Sequence, residues 1–153
     1  MVERVNFYGW SATGKRSLAE HFVHNLEAGQ QMMGFTDINF CPMNVLDLSA
    51  ILVEAAELEL KGLHHLVGPQ PMSKYQFGLH IAKKFGFDPG LIKPVSVNES
   101  GLQAARSPNL TLSVAKITTS LGHELPGFEQ GLQKFHDQYR RGYAQFIQTL
   151  VQL

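Results

Sequence analysis

Cysteine is almost missing from this sequence: Cys41 stands alone among 153 residues. A single thiol forms no internal disulfide and builds no thiolate metal cluster without other ligands. Charge of one sign is not in excess either. The 13 basic and 13 acidic residues cancel to a formal net charge of zero, and the longest basic clusters are the pairs Lys83-Lys84 and Arg140-Arg141. With no net field and no basic stripe, nothing here would recruit nucleic acid or an acidic membrane surface. Long hydrophobic runs are missing as well. No stretch approaches the roughly 18 apolar residues of a membrane span, and Glu3 and Arg4 interrupt any early apolar run of the secretory kind. The expectation left by these absences is a cytoplasmic protein.

What is present suffices for one core. The apolar content of 44% and charged content of 17% are those of a globular chain, and a chain of this length can bury most of its unfolded surface in a single unit. Residues Val2 to Gly9 are partly β-branched and aromatic and predict a strand. Ser17 and Glu20 have the spacing of a capping box, opening a helix with Leu18, Phe22, Val23 and Leu26 on one face and a stop near Gly29. A short strand over Gln31–Phe35 and an extended Asp37–Pro42 follow. Asn44 can cap a second helix with Val45, Leu48, Leu52 and Ala55, or near neighbours, as its buried stripe.

Leu63–Val67, bounded by Gly62 and Gly68, reads as a buried strand. Ser73 and Gln76 repeat the capping-box spacing ahead of Phe77, Ile81, Ala82 and Phe85, with Gly86 as terminator. Leu91–Val97 is expected to be extended, and Ser113 to cap a short helix ending at Gly122. After Pro126 a helical apolar pattern runs through Phe128, Leu132, Phe135, Tyr139, Tyr143, Phe146 and Leu150 to Leu153. Its first half is expected to pack internally; Phe146, Ile147, Leu150, Val151 and Leu153 would form an exposed patch if nothing covered them. This alternation of strands and helices, with a helical tail, is an α/β fold.

Gly9-Trp10-Ser11-Ala12-Thr13-Gly14-Lys15 satisfies the first seven places of a phosphate-cradling P-loop between a strand and a helix. The eighth place should carry the hydroxyl that holds magnesium, and it is Arg16. Ser17 comes one residue late, about 100° around the helix, and is already wanted as a cap. A P-loop nucleotide-binding protein is therefore the weakest of the readings. His21 and His24 lie three apart on a helix without a carboxylate or thiolate at convincing spacing, and His64-His65 point to opposite faces of a strand, so structural or surface roles are expected. Cys41, beside Pro42, reads as a small buried hydrophobe.

Several phrases occur in a telling order: Arg4-Val5-Asn6-Phe7-Tyr8-Gly9-Trp10, Thr36-Asp37 through Pro42, Val45-Leu46-Asp47-Leu48, Gly62-Leu63-His64-His65, Ser73-Lys74-Tyr75-Gln76-Phe77, Ala105-Arg106-Ser107-Pro108-Asn109 and Leu121-Gly122. Together they resemble the C-terminal half of the sugar-nucleotide reductases of the dTDP-4-dehydrorhamnose reductase type, which are extended short-chain dehydrogenase/reductases. One departure is that the family's contiguous Arg-Pro appears here as Arg106-Ser107-Pro108. The resemblance implies the last strands of a Rossmann-type parallel sheet plus the small substrate-binding lobe, over residues 1–153 as a single unit.

It further implies that Asn6, Phe7, Tyr8 and Trp10 lie at the cleft near cofactor and sugar, and that Arg106 contacts substrate phosphate, a role its planar donors suit. The parent family uses NAD(P) and a nucleotide-sugar. Its Gly-x-x-Gly-x-x-Gly turn and its Tyr-x-x-x-Lys pair are both missing from these 153 residues. Four places after Tyr8, Tyr75, Tyr139 and Tyr143 stand Ala12, Leu79, Tyr143 and Ile147. The expectation is thus a substrate-binding portion that is not catalytically complete and binds no cofactor alone. Its sheet edge would be unpaired, to be met by a second copy or by a chain carrying the N-terminal half; a stand-alone, non-catalytic binding or assembly subunit is the alternative.

Overall fold

The structure, a computed structural model, describes residues 1–13, 15–99, 101 and 107–151. In chain order the first elements are β1 (Val2–Val5), β2 (Phe7–Tyr8), α1 (Leu18–Glu27), β3 (Met32–Phe35), β4 (Asn39–Phe40), β5 (Met43–Asn44) and α2 (Val45–Glu57). Then come β6 (Leu63–Leu66), β7 (Met72–Ser73), α3 (Lys74–Phe85), β8 (Ile92–Val95), β9 (Asn109–Leu110), α4 (Ala115–Leu121), α5 (Phe128–Arg140) and α6 (Tyr143–Val151).

The pairing is mostly parallel, as the α/β alternation requires: β1 with β6, β2 with β5, β3 with β8 and β4 with β9. The exception is β7, which runs antiparallel to β4. The strand expected over Val2–Gly9 is broken at Asn6 because the chain changes partner there, leaving β6 for β5.

Three sequence signals fix the helix starts. Ser17 and Ser73 both close complete capping boxes, with Glu20 and Gln76, and the Asn44 side chain accepts from the Leu46 N–H at 2.9 Å. Such caps are each worth about 1 kcal/mol. Gly86 and Gly122 take the left-handed conformation that ends α3 and α4.

Other expectations need correction. Helix α4 starts at Ala115 with Val114 at the N-cap position, one residue after the expected Ser113, but the Ser113 hydroxyl still accepts the Ala115 N–H at 3.4 Å. The apolar pattern after Pro126 is two helices, because Gly142 at φ +68 turns the chain between α5 and α6. On α2 the fully buried stripe includes Ile51, while Leu52 is only partly covered. Strand β6 is half-buried, with His64 and Leu66 inside but Leu63 39% exposed.

The core has two parts. In the larger, Tyr8, Phe22, Phe77, Phe128 and Phe135 pack between α1, α3 and α5. Tyr8 meets Phe77 and Phe135 edge-on at 5.2 and 5.7 Å, contacts worth about 0.5–1.5 kcal/mol beyond area burial. Helix α3 comes this close to α1 because residue 78 is glycine: a Cβ there would sit 2.3 Å from Phe22 Cε1. The smaller part joins Met43, Leu48, Ile51, Leu66, Ile117 and Leu125 between α2, β6 and α4. Cys41 is buried and free, as expected for a small hydrophobe. Among the described residues no helix is long and apolar enough to cross a membrane.

Candidate functional site

The loop from β2 to α1 is pinned at both ends. It starts at Gly9, where a Cβ would lie 2.4 Å from Val45 Cγ1, so only glycine lets the backbone pass over the first turn of α2. It ends at Ser17, whose hydroxyl donates to the Gly9 carbonyl at 2.7 Å. Between these points Glu20, only 6% exposed, reaches back from α1. Its carboxylate accepts the Ser17 N–H at 2.7 Å and the Ser11 N–H at 2.9 Å.

A helix N-terminus with converging N–H groups is where a phosphate would bind. Here the protein's own Glu20 carboxylate accepts the Ser11 and Ser17 N–H groups, a place where a phosphate oxygen would sit in a P-loop. It also bears on NAD(P). A dinucleotide pyrophosphate needs free N–H groups at a small-residue turn, and two of this loop's N–H groups, those of Ser11 and Ser17, are already taken by Glu20.

Beside the loop lies a hollow of about 210 Å³ walled by Phe7, Trp10, Lys15, Ser17 and Val45. It sits at the carboxyl ends of β2 and β5, the side on which open parallel sheets bind their ligands. Phe7 is 57% exposed and offers its ring to it. Trp10 also lines it, held by its indole N–H donating to the Phe135 carbonyl at 3.2 Å and by stacking on Phe135 at 4.3 Å. Asn6 turns elsewhere, its amide donating to the Leu110 carbonyl at 2.9 Å and so tying β2 to β9.

Tyr8 faces the opposite way from Phe7, as strand alternation dictates. It is 1% exposed in the aromatic core, so in this structure it does not reach the hollow. Burial, followed by the nearby carboxylates of Asp47 and Glu129, pushes its hydroxyl well above the usual phenol range. That hydroxyl has no hydrogen-bond partner among the described residues. Near it Asn44 donates to the Gly131 carbonyl at 3.2 Å and Asp47 pairs with Lys134, a polar seam locking α2 to α5. Arg106 lies outside the described residues.

The structure therefore brings Phe7 and Trp10 together and separates Asn6 and Tyr8 from them. It adds Lys15, Ser17 and Val45, which the sequence reading had not assigned to a ligand. Lys15 was visible only as part of the failed P-loop, and Val45 gave no signal at all. The histidines stay apart: His65 meets the Ser113 carbonyl at 3.1 Å, while the buried His64 Nδ1 has no partner among the described residues. Among those residues no group of three or more His, Cys, Asp or Glu side chains is placed to hold a metal ion.

Similarity to known proteins follows this geometry. Among solved structures, the dTDP-4-dehydrorhamnose reductase of Bacillus anthracis, in complex with NADP, superposes with a TM-score of 0.78 at 21% identity, over 89% of this chain and 47% of that one. The dTDP-4-dehydrorhamnose reductase of Clostridium acetobutylicum gives 0.80 at 16% identity, over 90% and 48%. A dTDP-glucose 4,6-dehydratase from Bacillus anthracis, in complex with NAD, gives 0.71 at 18% identity, over 92% and 44%. At these identities the likeness establishes the fold, and the chain spans about half the length of the structures it matches. No curated protein sequence matches it. The sequence pattern of the family described as RmlD substrate binding domain matches residues 7–141. That is most of the chain, and the protein belongs to the RmlD substrate-binding domain family.

Proposed function

We propose that this chain is the substrate-binding portion of an NAD(P)-dependent sugar-nucleotide reductase acting on a 4-keto sugar, and that it is not catalytically complete alone. The observation that carries the reading is the hollow at the carboxyl ends of β2 and β5, with the Phe7 ring and Trp10 as its walls and Lys15 at its rim. An aromatic-lined concavity with one cation suits the sugar and phosphate of a nucleotide-sugar. The chain's own residues would bind and orient the sugar. Hydride transfer would come from a polypeptide bearing the Gly-x-x-Gly-x-x-Gly turn and the Tyr-x-x-x-Lys pair, neither of which occurs in this sequence.

Calorimetric titration with a dTDP-sugar tests the binding claim, with Phe7→Ala and Lys15→Ala expected to weaken it. Incubation with NADPH and a 4-keto sugar nucleotide tests the catalytic claim; turnover by this chain alone would overturn it. A second reading, a non-catalytic assembly subunit in the cytoplasm, is favoured by the edge of β1, which among the described residues pairs with β6 alone. Homodimer formation through that edge, or docking of a chain with the N-terminal half, would satisfy its backbone groups.

A further inference from the structure

The family match ends at residue 141, and α6 begins at Tyr143. This helix encloses a second hollow, of about 340 Å³, against the flank of α1. Trp10 is a wall common to both hollows. In the second, Trp10 is joined by Tyr139, whose ring lies within 20° of parallel to it at 6.0 Å. Both aromatics are fixed: Trp10 by the Phe135 carbonyl, and Tyr139 by donating its hydroxyl to Glu27 Oε1 at 2.5 Å.

The polar side chains of this hollow divide in two. Its carboxylates are engaged, Glu20 with the Ser11 and Ser17 N–H groups and Glu27 with Tyr139. Arg16, His24, Gln145 and Gln148 also line it. Among the described residues none of these four makes a side-chain hydrogen bond or ion pair. Arg16, His24 and Gln145 are exposed, and the hollow is a concave site with two aromatic walls and a few polar side chains, the general form of a small-ligand site. The Arg16 guanidinium, which has no partner among the described residues, suits an anionic group. The two amides, which can both donate and accept, suit hydroxyls.

We propose that the hollow between α1 and α6 binds a sugar carrying an anionic group, with Arg16 on the anion, Gln145 and Gln148 on the hydroxyls, and Trp10 and Tyr139 against the ring. A bare anion would leave the aromatic walls and both amides unused. The site shares only Trp10 among the residues assigned to the nucleotide-sugar hollow and does not depend on the reductase reading.

The test is calorimetric titration of the full chain with glucose 1-phosphate, glucose and inorganic phosphate in turn. Glucose 1-phosphate is expected to bind more tightly than either of the others. Arg16→Ala should weaken it about tenfold, the loss of one charge-assisted hydrogen bond. Gln145→Ala with Gln148→Ala should weaken it by roughly fivefold, whereas Lys83→Ala, at a position that lines neither hollow, should leave it unchanged. Trp10 is the only tryptophan, so its emission should shift with the same midpoint. The proposal is overturned if glucose 1-phosphate produces no saturable signal or if inorganic phosphate binds equally well. It also fails if Arg16→Ala has no effect, or if Lys83→Ala weakens binding as much as Arg16→Ala does. Loss of dTDP-sugar binding on Phe7→Ala, with glucose 1-phosphate binding intact, would show the two sites to be separate.

Discussion

The aromatic layer between α1, α3 and α5 and the β1–β6 pair are built to different standards of closure. In the layer, Phe22, Phe77, Phe128, Phe135 and Tyr8 are all at most 5% exposed. On the paired strands Val2 is 63% exposed, Leu63 39% and Val5 37%. Glu3 and His64, opposite each other in the register of these strands, each carry a buried polar atom with no partner among the described residues. The aromatic layer is closed by contacts this chain supplies, while among the described residues the strand pair leaves an edge unpaired and apolar side chains uncovered.

The contrast is broken most severely from inside the layer. Phe135 is fully buried, stacks on Trp10 and meets Tyr8 and Phe85. Phe135→Ala should cost about 3–5 kcal/mol, read as a lower urea midpoint, and should also shift Trp10 emission because the indole loses its stacking partner. Retention of wild-type stability would mean that the lobe is not the main core.

Next in size is the lock on the β2–α1 loop. Glu20→Gln keeps one good acceptor and loses the charge shared by the Ser11 and Ser17 N–H groups. The expected loss is about 1–2 kcal/mol. Because the loop walls both hollows, dTDP-sugar binding should weaken more than the melting midpoint alone suggests; unchanged binding would deny the loop a positioning role.

Parts of this lock were legible in the sequence and parts were not. The Ser17–Glu20 capping box is local, so a spacing of three residues announces it, as with Ser73 and Gln76. The reach from Glu20 to Ser11 spans a loop whose course no spacing reveals. Strand alternation would have separated Phe7 from Tyr8, but the resemblance grouped Asn6, Phe7, Tyr8 and Trp10 by position along the chain and not by face. The break at Gly142 was hidden because Tyr143, Phe146 and Leu150 continue the helical period past it. The fold was readable wherever local chemistry sets it, and the hollows were not, since they arise where α1 meets α2 and α6.

Two histidines sharpen the comparison through pH. His136, on α5 in the lobe, is held below its ordinary value of 6.5, chiefly by burial and then by Lys84, with Arg140 adding and Asp137 opposing. Its unfolded form binds the proton more readily, so the lobe loses stability as pH falls through 6.5 toward the folded value. His123 is exposed and joins the start of the loop after α4 to α2. The Glu124 carbonyl and then the Glu54 carboxylate raise it above 6.5. Its contribution is complete below 6.5 and is lost as pH rises through the folded value. Imidazole proton chemical shifts followed against pH should give midpoints on opposite sides of 6.5, and Glu54→Gln should lower only that of His123. Coincident midpoints would contradict both placements.

The smallest effect on stability is expected at the strand edge, and it separates a bare edge from a covered one. Val2→Lys adds charge at a position already 63% exposed, so in an isolated chain the urea midpoint should move by no more than about 0.5 kcal/mol. Charge on an edge strand opposes pairing with another chain. If the edge self-pairs in solution, as proposed, light scattering should show a mass that rises with wild-type concentration and stays at one chain for Val2→Lys. A monomer in both cases would leave self-pairing without support and point to a different polypeptide as the strand that β1 receives.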